Sequence, residues 1–251
     1  MTRLLLLLCW LLVSPGVWAT SSRDFDETTD CIEFNNALDP AGGDATFAGW
    51  TSGDVTGVDF ARLITNFNSA TTPDVGYVIV KRSGANREKI TCAVMMGDTL
   101  RGPADSTTTF SDAVWKFVLC DFTDGVSASI NLFIDNMATA ETATSGNFGT
   151  FNGGASEFVA GAEASTITAC DTREWDGRIA HVQVIDRVVT EAERTQMQWL
   201  PGSIPMNLYS PMMGTDSPEI DLSANDYSGT VTGAVDSASG PPVSMGGMLP
   251  L

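Results

Sequence analysis

Short runs of alternating apolar and polar residues recur along most of this chain and limit the folds that it can adopt. Gly, Ser, Thr, Asn and Asp separate the runs, in turn-rich stretches such as Leu38–Gly43 and Ser145–Gly149. An apolar residue at every second position gives an extended strand one buried face. Because helical patterns do not alternate with these runs, the sequence predicts an all-β sandwich or barrel rather than a parallel α/β sheet.

The runs also place the individual strands. A Met-, Pro- and Ser-rich tail after Gly202 adds two further candidates, at Met206–Tyr209 and Thr230–Ala234. The main predicted strands are Asp30–Phe34, Thr46–Trp50, Arg62–Phe67, Gly76–Lys81, Lys89–Met95, Trp115–Phe122, Ser127–Asp135, Phe158–Ala162 and Arg178–Asp186.

One short helix is predicted after the last of these main strands. Thr190 and Glu193 have the spacing of a capping box, in which each side chain bonds the backbone amide of the other residue. The pattern continues through Met197 and Trp199 and stops before Pro201. We expect this helix to cover one open end of the sandwich.

The chain has a single histidine, His181. It lies where Ile179, Val182 and Val184 break the period of two, which predicts a β-bulge near Ala180 and His181. We expect His181 to be a surface or hydrogen-bonded structural residue rather than a ligand.

The N-terminal residues 1–19 have the pattern of an export signal. Arg3 precedes the apolar run Leu4–Val13, and Val17-Trp18-Ala19 fits a cleavage site. A membrane span needs about 20 apolar residues, so the run is too short to anchor the protein. We therefore expect cleavage after Ala19 and a product that is secreted, periplasmic or held at the cell surface.

The chain is strongly acidic, with a formal net charge of −18. Such a charge repels phosphate backbones, so nucleic acid is excluded as a partner. The same charge favours solubility outside the cell and attracts divalent cations.

Four cysteines follow the signal segment, and export permits disulfides among them. No Cys-x-x-Cys spacing occurs, which together with the single histidine argues against zinc. Their pairing stays open, and those within alternating runs are equally compatible with buried thiols. They are Cys31, Cys92, Cys120 and Cys170.

The order of several segments resembles the laminin-G-like branch of the concanavalin A-like lectin/glucanase superfamily. These segments are Trp115–Phe122, Ile130–Asn136, Phe158–Gly161, Trp175–Val184 and the helix that starts at Thr190. The resemblance covers roughly Asp30 to Leu200. It implies a two-sheet antiparallel jelly roll, often with a structural calcium, that recognises glycans or extracellular proteins without catalysis.

The tail carries a second resemblance. Asp221–Thr230 is similar to a loop that commonly opens such domains, yet here it lies near the C-terminus. The tail either closes the sandwich or begins a truncated second copy, and its length favours closure. We thus predict a jelly-roll domain at residues 27–200, an extension at 201–243 that closes it, and a flexible tail at 244–251.

The same loop is the predicted calcium site, because it concentrates the oxygen ligands that calcium prefers. The predicted ligands are Asp216, Asp221, Asn225 and Asp226. Asp135 with Asn136, and Asp171 with Asp176, are alternatives. Asp and Asn also favour turns by bonding their own backbone, which is the competing explanation.

Glycan binding needs exposed aromatic rings beside polar groups. Trp175, Tyr209 and Tyr227 are the predicted ligand-binding residues, because their surroundings favour exposure. By contrast, Trp50, Trp115 and Trp199 are expected to face the core.

Catalysis is not predicted. Glucanases of this superfamily carry Glu-x-Asp followed two residues later by a second Glu, which supplies the carboxylate pair that hydrolysis needs. Glu174-Trp175-Asp176 and Glu219-Ile220-Asp221 both lack that Glu. The alternatives to a binding module are a structural assembly component and, less favoured, a polysaccharide-active hydrolase.

Overall fold

The computed structural model of the chain describes residues 21–26, 28–34, 43–53, 59–66, 75–83, 88–96, 99–111, 114–124, 128–148, 158–166, 169–213 and 217–243. The predicted signal segment 1–19, the predicted calcium ligand Asp216 and the predicted tail 244–251 lie outside these residues. Among the described residues, no helix is long and apolar enough to cross a membrane.

The described residues form two antiparallel sheets and one separate hairpin. The helix-bearing sheet contains β1 (Ser22–Asp26), β3 (Ala45–Gly53), β8 (Lys116–Thr123), β9 (Ala128–Ile134), β10 (Thr142–Gly146), β14 (Asp176–Ile185), β15 (Leu208–Ser210) and β17 (Val235–Ser237). The facing sheet contains β2 (Cys31–Phe34), β4 (Arg62–Thr65), β5 (Val75–Lys81), β6 (Ile90–Met96), β7 (Thr99–Asp105), β11 (Phe158–Ala160) and β16 (Gly229–Thr232). The hairpin pairs β12 (Glu163–Thr166) with β13 (Ala169–Thr172).

The strand order shows how the chain crosses between the sheets. The helix-bearing sheet runs β10-β9-β8-β3-β14-β1-β17, and β15 pairs with the end of β14 that β1 leaves free. The facing sheet runs β16-β2-β11-β4-β5-β6-β7. Consecutive strands therefore often lie in different sheets, as in a jelly roll.

The main core lies between the two sheets. The Phe47 ring contacts the rings of Tyr77, Phe122 and Phe158 at centroid distances of 5.3, 5.7 and 5.8 Å. A disulfide between Cys92 in β6 and Cys120 in β8 joins the sheets through this core. Cys31 is also disulfide-bonded. Cys92 and Cys120, which the sequence left open as buried thiols or disulfides, are therefore disulfide-bonded.

A second, smaller core lies on the outer face of the helix-bearing sheet. There Met197 of the helix α1 (Glu191–Trp199) belongs to one buried apolar cluster with Trp50, Phe117 and Leu119. The capping box predicted at Thr190 and Glu193 is present. The helix thus covers a sheet face rather than an open end of the sandwich, because its single buried stripe needs a flat apolar partner.

The C-terminal residues supply edge strands to both sheets. β16 pairs with β2 in the facing sheet, and β17 pairs with β1 in the helix-bearing sheet. A buried ion pair between Arg23 and Glu219, with 2.9 Å between Nε and Oε2, links this segment to β1.

The antiparallel two-sheet sandwich predicted from the alternating runs is confirmed. The β-bulge predicted near Ala180 and His181 is also present, as a register shift between Ala180 and Gln183. The sequence missed several strands whose apolar pattern is weak. These are β1, β7, β10, β12, β13 and β17.

Candidate binding site

A groove with a volume of about 340 Å³ opens beside the tail loop in which the sequence placed most of its candidate residues. One wall is the loop that follows α1, and the other is the turn after Asp221. Leu222 at the rim is 42% exposed. The lining residues are Gly202, Ser203, Ile204, Pro205, Met206, Tyr209, Leu222, Ser223 and Ala224.

The Asp221 carboxylate fixes the second wall. Its Oδ1 accepts hydrogen bonds from the backbone amides of Tyr209 (3.0 Å) and Ser223 (2.8 Å). Its Oδ2 accepts from the Ser223 hydroxyl (2.6 Å) and the Tyr227 amide (2.8 Å). Both oxygens are therefore occupied by the turn itself, which ties it to β15.

Two of the described members of the predicted calcium-ligand set take part in contacts of the tail turn itself. Asp221 is saturated with hydrogen bonds, and the Asn225 side-chain amide donates to the Asn207 carbonyl at 2.8 Å. Asp226 is exposed, at a φ of 57°. No group of three His, Cys, Asp or Glu side chains among the described residues is arranged to hold a metal ion. These contacts fit the competing explanation, turn stabilisation, and calcium stays a prediction.

The floor of the groove rests on a buried pair of rings. The Tyr209 hydroxyl lies 3.1 Å from Nδ1 of His181, and the two rings are stacked with centroids 6.1 Å apart. Burial lowers the pKa of His181 to about 4 and raises the pKa of Tyr209. His181 is therefore neutral at physiological pH, where it holds the tyrosine ring in place.

Two of the three predicted ligand-binding aromatics are not exposed. Trp175 and Tyr209 are each 1% exposed, and Tyr227 is partly buried against the main core. Trp175 was expected to be exposed, but its indole is buried against Gly53. A side chain at position 53 would not fit there, because its Cβ would lie 2.6 Å from the Trp175 ring. Tyr209 reaches the groove only as part of its floor.

The error runs in the opposite direction for Trp199. This residue was expected in the core, yet it is 45% exposed at the end of α1. Trp115 is partly buried on the outer face of the helix-bearing sheet, while Trp50 is buried as expected. The exposed position of Trp199 follows from the helix geometry, because Met197 and Gln198 occupy the buried stripe.

The Glu219-Ile220-Asp221 triplet does not form a catalytic pair. Glu219 accepts from Arg23 and from the Met213 amide, at 2.9 Å each, while Asp221 is occupied by the turn. Burial raises the pKa of Glu219, against the lowering effect of Arg23. Hydrolysis needs one carboxyl that can donate a proton and a second that faces the substrate, and neither residue is free for these roles. In the other triplet, Glu174 is buried.

A family model described as the concanavalin A-like lectin/glucanases superfamily matches residues 26–193. The chain belongs to this superfamily. The resemblance to this superfamily that the sequence predicted is thus confirmed.

Solved structures with this superfamily fold are similar to the chain at low sequence identity. A proposed carbohydrate-binding protein from Bacteroides ovatus ATCC 8483 has a TM-score of 0.64 and 12% identity, over 90% of this chain and 62% of that one. A heptameric SAP-like pentraxin from Limulus polyphemus has a TM-score of 0.63 and 13% identity, over 89% and 97%. No curated protein matches the sequence. At these identities, the likeness shows the fold alone.

Proposed function

We propose that this protein is a non-catalytic module that binds glycans outside the cell, and that the groove beside Tyr209 is its binding site. The observation that carries the proposal is the groove itself, whose second wall and floor are held by internal hydrogen bonds. The carbohydrate-binding description of the Bacteroides ovatus neighbour supports the ligand class. The export pattern of residues 1–19 supports the location.

The groove has the size and chemistry for a small saccharide unit. Ligand pockets commonly have volumes of about 300–1,000 Å³ and combine apolar walls with a few polar groups. Here Ile204, Met206 and Leu222 supply apolar surface, and the polar residue Ser203 lies on the wall opposite Leu222. Because Asp221 and His181 hold the surrounding backbone and floor, little conformational entropy would be lost on binding.

A glycan array is the direct test, with the full chain applied in the presence of calcium and again in EDTA. We expect binding to at least one neutral oligosaccharide class. The comparison with EDTA tests the calcium prediction separately. A folded protein that binds no glycan under either condition would overturn the proposal.

Two matched variants locate the site. Leu222→Asn changes the exposed rim, whereas Ile220→Asn changes a residue that is 55% exposed but does not line the groove. We expect the first variant to weaken glycan binding about fivefold or more and the second to leave it unchanged. Equal effects of the two variants would place the site elsewhere. Incubation with β-glucans should release no reducing ends.

A further inference from the structure

The outer face of the helix-bearing sheet carries an exposed tryptophan whose orientation is fixed from below. Trp199 packs edge-on against Trp50, with centroids 6.0 Å apart. Trp50 is held in turn by Phe117, at 5.4 Å, and by a hydrogen bond of 3.1 Å from its indole nitrogen to the Gln198 carbonyl. An exposed ring of this size on a rigid support is a ready contact surface.

Strand register extends this surface beyond the end of the helix. Ser52 pairs with Arg178, and Arg178 pairs with Asp24 on its other side. Trp115 directly precedes β8 and shares the outer face with Phe117 two residues later. Trp115, Ser52, Arg178 and Asp24 therefore form one row across four neighbouring segments.

The row is partly assembled by the side chains themselves. The Arg178 guanidinium lies 5.6 Å from the centroid of the Trp115 ring. The Arg178 side chain therefore reaches across Ser52, which lies on the strand between these two residues. Ser52 is buried, Trp115 and Arg178 are half-buried, and Asp24 is exposed. The surface thus offers ring faces, fixed guanidinium donors and a carboxylate acceptor side by side.

This combination fits the chemistry of a neutral sugar. The electron-rich face of an aromatic ring attracts the C–H groups on the apolar face of a pyranose. Guanidinium N–H groups and carboxylate oxygens match hydroxyls that both accept and donate. The net charge of −18 disfavours an anionic polymer at the same place.

We propose that Trp199, Trp115, Arg178 and Asp24 form a second carbohydrate-contact surface, distinct from the groove and suited to neutral pyranose units. The inference rests on the proposed glycan-binding function and extends it. The loop that forms one groove wall begins directly after Trp199, so the two surfaces are joined at the end of α1. A chain of several sugar units is therefore the preferred ligand over a single terminal sugar.

Affinity electrophoresis of the full chain tests the proposal. The gels contain neutral xyloglucan, galactomannan, arabinan or mixed-linkage β-glucan, with polygalacturonate as the anionic probe. We expect retardation by a neutral polymer. Trp199→Ala and Arg178→Gln should each weaken it about fivefold or more, while Ile220→Ala should match the parent protein.

Further measurements keep folding and binding apart. Unchanged melting temperatures show that the variants are folded, and Trp199→Phe should retain part of the affinity because it keeps a ring. Whichever of the four neutral polymers retards the protein should also quench its tryptophan fluorescence more strongly in the parent than in Trp199→Ala.

The failures of the two proposals are distinguishable. Retardation by a neutral polymer that Leu222→Asn abolishes but Trp199→Ala and Arg178→Gln leave unchanged would overturn this inference and leave the groove proposal intact. Retardation by polygalacturonate alone would overturn the ligand class. If no polymer retards the parent protein, both proposals are overturned.

Discussion

Two buried titratable side chains, Asp121 and His181, have opposite effects on the pH dependence of stability. Burial raises the pKa of Asp121 to about 6, although Thr46 and Arg194 both bond its carboxylate. Burial lowers the pKa of His181 to about 4. Both groups change their charge in the same pH range, between about 4 and 6.5.

The sign of each contribution follows from which state binds the proton. Between about pH 4 and 6, folded Asp121 keeps a proton that the unfolded chain, with its ordinary pKa of 3.8, has already lost. Raising the pH therefore lowers stability. For His181 the unfolded chain, with its ordinary pKa of 6.5, holds the proton, so raising the pH increases stability. At 1.36 kcal/mol per pKa unit, each group contributes about 3 kcal/mol and the two nearly cancel.

We predict that replacing either residue alone will reveal the pH dependence of stability that the other residue contributes. In Asp121→Asn, the free energy of unfolding should rise by about 3 kcal/mol more than in the parent protein from pH 4 to 6.5. In His181→Asn, it should fall by a similar amount relative to the parent; asparagine tolerates the φ of 52° at this position. Urea titrations at several pH values measure both changes. Parallel pH profiles for all three proteins would contradict the assignment.

Residue-scale features were only partly predictable from the sequence. The His181 bulge was visible because it interrupts an alternating pattern. The burial of Trp175 was not visible, because it depends on Gly53 in a strand far away in sequence. Exposure of an aromatic residue is thus set by its spatial neighbours rather than by the charged residues beside it in the chain.

At the scale of elements, α1 is anchored at its first turn and along its length. The Thr190 hydroxyl accepts from the Glu193 amide at 3.3 Å, and Glu193 accepts from the Thr190 amide at 2.8 Å. Hydrogen bonds from Arg187 hold the pKa of Glu193 at about 2. Arg194 reaches from the helix to Asp121 and lies over the Phe133 ring at 4.2 Å.

We predict that Thr190→Ala lowers the free energy of unfolding by about 1 kcal/mol, because it leaves a helix amide without its cap. Thr195→Ala in the same helix is the matched control. It should be neutral or slightly stabilising, since alanine is the better helix former at an exposed interior position. Thermal unfolding of both variants provides the comparison, and equal losses would show that the cap contributes nothing specific.

A second element-scale feature is the ion pair that connects the C-terminal segment to β1. The Arg23 and Glu219 side chains are 2% and 0% exposed. Arg23 also donates to the Ala234 carbonyl at 3.3 Å, next to β17. The pair therefore lies at the junction of three chain segments.

We predict that Glu219→Gln lowers the free energy of unfolding by about 3–5 kcal/mol, because it leaves the Arg23 charge buried without its partner. Arg82→Gln breaks a partly exposed pair with Asp105 and should cost about 1 kcal/mol or less. Urea denaturation of the two variants gives the contrast. A loss below 1 kcal/mol for Glu219→Gln would show that the tail is held chiefly by strand pairing.

The sequence predicted the longer elements well and the edge strands poorly. Strands such as β5 and β8 are buried on both faces or alternate cleanly, so their apolar residues identify them. Edge strands such as β10 and β17 bury little, and their polar sequences are typical of turns. Their positions are set by the strands beside them.

At the scale of the whole molecule, the Cys92–Cys120 disulfide joins the two sheets directly through the core. The bridged cysteines are separated by 28 positions in sequence. Closing a loop of this length in the unfolded chain is expected to stabilise the folded state by about 3–4 kcal/mol.

We therefore predict that the double variant Cys92→Ala/Cys120→Ala keeps its β-sheet circular-dichroism spectrum but loses about 3–4 kcal/mol or more of stability, with the lost core volume adding to the cross-link term. The denaturant m-value should rise, because the unfolded chain becomes less compact. An unchanged unfolding midpoint would show that the disulfide does not stabilise the folded protein.

The overall architecture was accessible from the sequence because alternation, turn residues and segment order all indicated the same fold. The functional surface was less accessible. The groove depends on two loops that are joined by hydrogen bonds, among them the bond from the Tyr209 amide to Asp221. The row around Arg178 depends on strand register, which a sequence without its partners does not specify.

The pairing of β1 with β17 places Ser22 beside Ser237. The order in which the chain links its strands could therefore be changed without changing how the strands pair. A circular permutant that joins Val243 to Ser22 by a glycine-rich linker and opens the chain at Ala138–Thr139, an exposed turn, would retain every described strand pair and the buried Val243. Such a rearranged gene should yield a protein with the same cooperative unfolding transition.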